Sequence, residues 1–454
     1  MALVSVPSGD LVYVVGQNLS GVTGAHRILM EISSRKHRLD AGHNALGNDG
    51  AVALFQGLAT QRMRFIAGQG AQSWGMHEVR MGQNNVGDEG LANAVWYASE
   101  DQELKSLWMP ANSITFGSDP AHLSALIEQL NKSHLTELRL ANNRLSPAAV
   151  EQLFKSLKAP HLRALHLSSC RLPAEVAPAI AEYVASERSY GLEILELNGN
   201  SLGAKGVAAI VDALQSSNFT LLRLGLHANN ARRARSTGSD DDWESEDEWS
   251  SASDADSDAA ACKQQTERRL PALERNRLLN RRVKDAAARA LAPMRIILHA
   301  QAAPEGTEVE SQLENLSVEA KPKVESKSGL VDDLRIGVSE APAAAPSETP
   351  VPLASFPLLR LPQELQLVVA RHCSGDAEAL SEAQWSRITT YAGERASLGR
   401  MAERSRLALF AAATGPGRAA RLERKTKMLE VLDEWRSRYR CDQWELNPKP
   451  TGLW

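Results

Sequence analysis

Residues Leu135-Thr-Glu-Leu-Arg-Leu-Ala-Asn-Asn-Arg-Leu145 set leucine at 135, 138, 140 and 145 around Asn143, and Leu192-Glu-Ile-Leu-Glu-Leu-Asn-Gly-Asn-Ser-Leu202 repeats those offsets around Asn200. Side chains alternate along an extended chain, so Leu138 and Leu140 share one face while Glu137 and Arg139 take the other. The asparagine comes where the chain must bend, and its amide carries both a donor and an acceptor for backbone groups that the bend leaves unpaired. Outward from these stretches the same frame holds at Leu39, Ala41, Asn44 and Leu46; at Val79, Met81, Asn84 and Val86; and at Leu107, Met109, Asn112 and Ile114. Leu162, Leu165, Leu167, Cys170 and Leu172 keep it with cysteine in the asparagine place, and Leu221, Leu224, Leu226 and Asn229 close a series of seven units. An eighth fits loosely at the start, through Leu11, Tyr13, Val15 and Asn18.

Helical patterning separates the frames, for example over 148–157 and 207–214, where apolar residues recur three and four apart. A strand and a helix repeated at intervals of about 30 residues cannot bury their apolar faces singly, so stacking must build one continuous core. The predicted fold is an α/β leucine-rich repeat solenoid over 1–231, with a curved parallel sheet inside and helices outside. The phrase Leu195-Glu-Leu-Asn-Gly-Asn-Ser-Leu-Gly203 resembles the ribonuclease-inhibitor (RNI-like) subclass of these repeats, and the resemblance covers residues 10–230. It implies a horseshoe that displays surface and rarely does chemistry.

Residues between the inward leucines point to the concave face of such a sheet. The predicted middle row is Asp40, Arg80, Trp108, Arg139, His166, Glu196 and Gly225, and beside it run Arg38, Glu78, Ser106, Glu137, Ala164, Ile194 and Arg223. From these rows Asp40, Arg80, Trp108, Arg139, His166, Glu196 and Arg223 are the candidate protein-binding residues. Mixed charge suits a protein partner better than a polyanion, and a tryptophan on an open sheet is the kind of anchor that dominates binding energy. The alternative for Trp108 is a covered position, under the insertion of residues 64–74 or under the C-terminal module. His166 and His227 read as surface histidines.

The chain of 454 residues carries a net charge of -4, which exerts no global pull toward nucleic acid or membrane. Cys170, Cys262, Cys373 and Cys441 lie far apart without a CxxC pair, which fits neither a disulfide framework nor a zinc site. The N-terminus lacks the basic start and apolar core of a secretory signal, and no apolar run approaches the roughly 18 residues that span a bilayer. Glycine-rich phosphate loops and HExxH helices do not occur in the sequence. The expectation is a non-enzymatic intracellular protein, cytoplasmic or nuclear, with no cofactor, metal or small-molecule substrate. Its partner is expected to be another protein, not a membrane or nucleic acid.

Composition changes after Asn229. Residues 232–265 are predicted to be a disordered acidic insertion: Arg232, Arg233 and Arg235 precede a run over 236–258 with too few aliphatics to offset the entropy of ordering. Ser239, Ser245, Ser251 and Ser253 each have an acidic residue three positions on, which suits acidophilic kinases. From 266 to 300, Leu279, Val283, Ala287, Leu291, Met294 and Leu298 make the apolar stripe of a basic amphipathic helix, predicted to cap the open end of the solenoid and to bend at Pro293. Residues 301–354 have the composition of a disordered linker, 355–440 predict a small all-α module, and 441–454 an extended tail.

That module begins Phe356-Pro-Leu-Leu-Arg-Leu-Pro-Gln-Glu-Leu-Gln-Leu-Val-Val369, which resembles the opening of an F-box at Leu361, Pro362, Glu364, Leu365 and Val368. Pro362 is placed to start a helix and Glu364 suits its positive end, with Leu365, Val368 and Val369 as the expected buried face. The resemblance implies an adaptor for the Skp-type linker of a cullin ubiquitin ligase. Further on, Trp385, Ile388 and Tyr391 are expected to pack on the first helix. Repeats followed by an acidic segment also resemble Ran GTPase-activating proteins, which implies a small GTPase as partner and an active arginine in a loop after a strand; Arg144 and Arg171 directly follow the asparagine position. A protein-binding scaffold is the leading reading, with these two as alternatives.

Overall fold

The structure is a computed structural model that describes residues 9–69, 74–117, 120–230, 252–300, 363–394, 397 and 418–445. It comprises two units: Met1–Arg281 with Gln443–Trp454, and Arg282–Asp442. Among the described residues no helix is long and apolar enough to cross a membrane.

In the first unit, eight three-residue strands lie side by side in chain order, all parallel: β1 (Leu11–Tyr13), β2 (Arg38–Asp40), β3 (Glu78–Arg80), β4 (Ser106–Trp108), β5 (Glu137–Arg139), β6 (Ala164–His166), β7 (Ile194–Glu196) and β8 (Arg223–Gly225). Parallel neighbours require a crossover. Here each crossover is a helix on the outer side: α1 (Gly21–Glu31), α2 (Gly47–Gln69), α3 (Asp88–Glu100), α4 (Pro120–Lys132), α5 (Pro147–Ser156), α6 (Ala177–Ala185) and α7 (Gly203–Ser217). The central residues of β2 to β8, Leu39, Val79, Leu107, Leu138, Leu165, Leu195 and Leu224, are in register and buried, and they belong to one apolar core that continues through every coil.

The asparagines link successive coils as predicted from their double chemistry. Asn143 Nδ2 donates to the carbonyls of Leu140 (2.8 Å) and Met109 (3.0 Å), while its Oδ1 accepts the N–H of Asn112 (3.1 Å) and Ile114 (3.2 Å) in the coil before. Asn200 does the same for Leu197, Leu167, Cys170 and Leu172. Immediately before each asparagine, and before Cys170 in the asparagine place, the chain turns through left-handed backbone, at His43, Gln83, Ala111, Asn142, Ser169, Gly199 and Ala228, all with φ between 54° and 69°.

The same left-handed signature corrects the first coil. Gly16 has φ 65°, so Gln17, not Asn18, holds the asparagine place, and β1 pairs Val12 with Leu39 and Tyr13 with Asp40. Val12, Val14 and Leu19 are therefore the buried residues, while Tyr13 is 55% exposed on the open face. Leu11 to Val15 is an unbroken apolar run, so it carries no alternation to fix the register, and a slip of one residue exchanges the two faces.

The last coil also differs from expectation. A helix, α8 (Ala252–Glu267), occupies much of the stretch predicted to be a disordered acidic insertion, and it packs beside α7. Its N-terminal half holds the aspartates, where carboxylates favour a helix, and Asp258 accepts the N–H of Ala204 at the start of α7 (3.2 Å). Arg268 separates α8 from α9 (Arg269–Ala300), which continues through Pro293. Cys262, Ala272 and Leu273 are the members of the solenoid core from these helices; Leu279 and Val283 are buried but lie outside that cluster, so the expected cap is made by α8 and the first turns of α9. The arginines here bind helix ends: Arg275 donates to the carbonyls of Leu214, Gln215 and Asn218, which terminate α7, and stacks on Phe219 (4.0 Å). Burial lowers its pKa.

The second unit takes up the end of α9 with α10 (Gln363–Cys373), α11 (Glu382–Gly393) and α12 (Arg418–Arg438). Arg282 holds Asp376 through two bonds (2.8 and 3.1 Å), and Ser381 with Gln384 forms a capping box at the start of α11. Trp385, Ile388 and Tyr391 are buried, and Tyr391 packs against Trp435 and Tyr439. The expected burial of the α10 face is not observed. Leu365 is 50% and Val368 45% exposed and Val369 is half-buried, while Ala370 is buried. Leu361 and Pro362, the kinase-type sites Ser239, Ser245 and Ser251, the linker over 301–354 and the helix expected over 407–413 lie outside the described residues.

Candidate functional site

The strand register brings all seven predicted concave-face residues onto one side of the sheet, with Tyr13 as an eighth that the slipped frame of the first coil concealed. Trp108 is at the centre of the best-built part. Arg80 from β3 and Arg139 from β5 each place a guanidinium carbon 4.0 Å from its ring centroid. Its own neighbours in the row thus cover the ring, while Trp74, at the end of the second coil's insertion, is buried against Phe65 with ring centroids 4.6 Å apart.

Carboxylates hold this arrangement from beneath. Glu137 accepts from Trp108 Nε1 (3.0 Å), Arg139 Nε (2.6 Å) and Ser106 Oγ (3.4 Å), and His166 Nε2 lies 3.3 Å away. Burial acts to raise the Glu137 pKa, but the bonds from Arg139 and Trp108 and the nearby positive charge outweigh it and hold the carboxyl below its ordinary value. Glu78 pairs with both Arg38 and Arg80, and Asp40 lies 3.8 Å from Arg80 while accepting from the N–H of Gly42. At the other end Glu196 is buried, paired with Arg223 and bonded to Asn198 (2.6 Å). His166 is kept neutral more readily than an ordinary histidine, first by burial and then by the charge of Arg139, against the opposing pull of Glu137 and Glu196.

Beside Trp108 the face deepens into a cavity of about 370 Å³, lined by Tyr13, Asp40, Arg80, Trp108, Pro110 and neighbouring loop residues. The cavity lies at the strand ends of the first five coils, and Tyr13 and Pro110 were not among the predicted residues. His227 is exposed, as read from the sequence, with Arg269 Nη2 3.0 Å from its Nε2. Arg144 and Arg171 are exposed in the loops after β5 and β6, away from the arginine pair around Trp108.

Comparison with known proteins agrees with this architecture. A leucine-rich repeat family model matches residues 131–154 and 192–211. The chain is 28% identical to the ribonuclease inhibitor of Mus musculus over 231 residues, which is 46% of this chain and 50% of that protein, and 28% identical to that of Sus scrofa over 233 residues, 46% of this chain and 48% of that protein. A shorter match, 36% over 101 residues, joins 22% of the chain to 8% of NACHT, LRR and PYD domains-containing protein 5 of Homo sapiens. The chain spans about half the length of the ribonuclease inhibitors it matches. Parallel sheet, asparagine links and relatives together define an RNI-like leucine-rich repeat protein.

Proposed function

We propose that this protein is a binding scaffold that holds a protein partner on the concave face of its repeats, through Asp40, Arg80, Trp108, Arg139, His166, Glu196 and Arg223, with Tyr13 added. The observation that carries the reading is the Arg80–Trp108–Arg139 stack. A tryptophan and two arginines fixed in rotamer before binding lose little conformational entropy on contact, and these are the residue types that dominate interface energy. The relatives named ribonuclease inhibitor are by their name protein-binding proteins, which supports the same class of function here without naming this partner. Affinity purification of the full chain beside Trp108→Ala/Arg139→Ala tests it: loss of the co-purifying proteins supports the concave face, and an unchanged set removes it.

A second reading attaches to α10. Leu365 and Val368 present apolar side chains to solvent, as a helix does when another protein covers it, and this keeps the F-box-like adaptor as an alternative for the C-terminal module. Capture of a Skp-type linker by the full chain, abolished by Leu365→Asp/Val368→Asp, supports that role; no capture by the parent chain ends it.

A further inference from the structure

The charges of the concave face are balanced in number but not in depth. At each ion pair the arginine stands outside and the carboxylate beneath: Arg139 is 39% exposed over Glu137 at 19%, Arg223 67% over Glu196 at 5%, and the same order holds for Arg38 over Glu78 and Arg80 over Asp40. The contacts use few of the donors. Arg80, Arg139 and Arg223 reach their carboxylates through Nε, the Arg80 Nη1 stands 3.8 Å from Asp40, beyond hydrogen-bond distance, and Arg80 and Arg139 give their flat faces to Trp108. A guanidinium has five N–H donors in one plane, so stacking and an Nε contact leave the Nη edge as a preformed fork for a second carboxylate.

On the proposed reading of this face as the interface, we infer that the partner presents an acidic segment to it, with carboxylates seated on the Arg80 and Arg139 forks to either side of Trp108. Arg80 and Arg139 stand on strands separated by one other, a distance of roughly 10 Å, which about three residues of extended chain cover. A segment in polyproline II conformation, with three residues per turn and about 3.1 Å per residue, that crosses the strands with acidic residues three apart therefore meets both forks. The half-buried and buried carboxylates orient the arginines beneath the surface, and because they are covered they attract a basic partner only weakly.

The test uses the full chain and a fluorescein-labelled peptide with glutamate at every third position, followed by fluorescence anisotropy. Saturable binding that weakens with salt, and that Arg80→Gln/Arg139→Gln weakens by about tenfold or more, is the expected result. Arg80→Lys/Arg139→Lys keeps the charge and the fold but not the fork, and is expected to bind several-fold more weakly than the parent. Peptide binding unchanged in both variants overturns the inference. So does a parent chain that ignores the peptide while still losing its cellular partners on Trp108→Ala/Arg139→Ala, a result that leaves the interface in place and removes only its acidic chemistry. A polynucleotide that binds the same arginines more tightly than the peptide, or peptide binding that arises only after residues 236–251 are deleted, assigns the forks to another occupant and likewise overturns it.

Discussion

A Cβ atom on residue 225 would stand 2.0 Å from Glu196 Oε2, so the buried carboxylate of β7 lies on the bare backbone of β8. Gly225 is the one place in the middle row where the sheet gives up a side chain to seat a neighbour's charge. Gly225→Ala is expected to destabilise the repeats by about 1–3 kcal/mol through overpacking. Adding Glu196→Ala should recover part of that loss, which chemical denaturation of the two single variants and the double variant measures; strictly additive losses contradict the contact.

The left-handed residue before each asparagine gives a second prediction. Ala111 and Ala228 hold φ 54°, where a Cβ is strained by roughly 1–2 kcal/mol. Glycine there removes the strain but costs conformational entropy on folding, so Ala111→Gly and Ala228→Gly are each expected to stabilise by up to about 1 kcal/mol. Gly199→Ala should destabilise, since its Cβ would also meet Ser169 Oγ at 2.8 Å. Midpoints of urea unfolding check the opposite signs.

Cys170 is the third case. Its thiol replaces the donor role of the missing asparagine, reaching the Leu140 carbonyl at 3.3 Å, but a thiol is a poor acceptor for the N–H groups of Asn143 and Leu145. Cys170→Asn is expected to raise stability by about 1 kcal/mol in the same assay. Burial pushes the Cys170 thiol up to about 11 and, with Asp258, the Cys262 thiol to about 11. In the native chain a thiol reagent near neutral pH should therefore label the exposed Cys373 first, with Cys170 and Cys262 released on unfolding.

Acid should act on the site through His166 and Glu137. The folded pKa of His166 is lowered, so the unfolded chain takes up the proton first, and stability present above the ordinary histidine value falls as pH drops through it. Glu137 is also lowered, so its contribution persists above the ordinary carboxylate range and is lost at lower pH, as the folded group finally protonates. Thermal melts of His166→Gln should show a shallower decline between about pH 7 and 5, while Arg139→Gln should flatten the limb below about pH 4.5; profiles parallel to the parent contradict both assignments.

Seven coils and the concave row were legible because inward leucines and Asn143-type residues recur at fixed offsets, and the register follows from them. The first coil was not, since both faces of Leu11–Val15 are apolar; Gly16 was the usable signal. Acidic composition hid α8, which packs on α7 and has few aliphatic residues of its own. The stack on Trp108 depends on rotamers chosen across three strands, which spacing in one dimension does not encode. Buried Ala370 and exposed Leu365 on α10 show the same limit: an amphipathic stripe tells which residues share a face, not which face finds a neighbour.

The central claim is most directly tested by site-specific photocrosslinking in cells, with benzoylphenylalanine in place of Tyr13 on the concave face and, separately, Met63 on the outer helix α2, both exposed. A discrete crosslinked protein at position 13 that is lost on Arg80→Gln/Arg139→Gln, with none at position 63, is the predicted result. Crosslinking at position 63 with nothing at position 13 would contradict it.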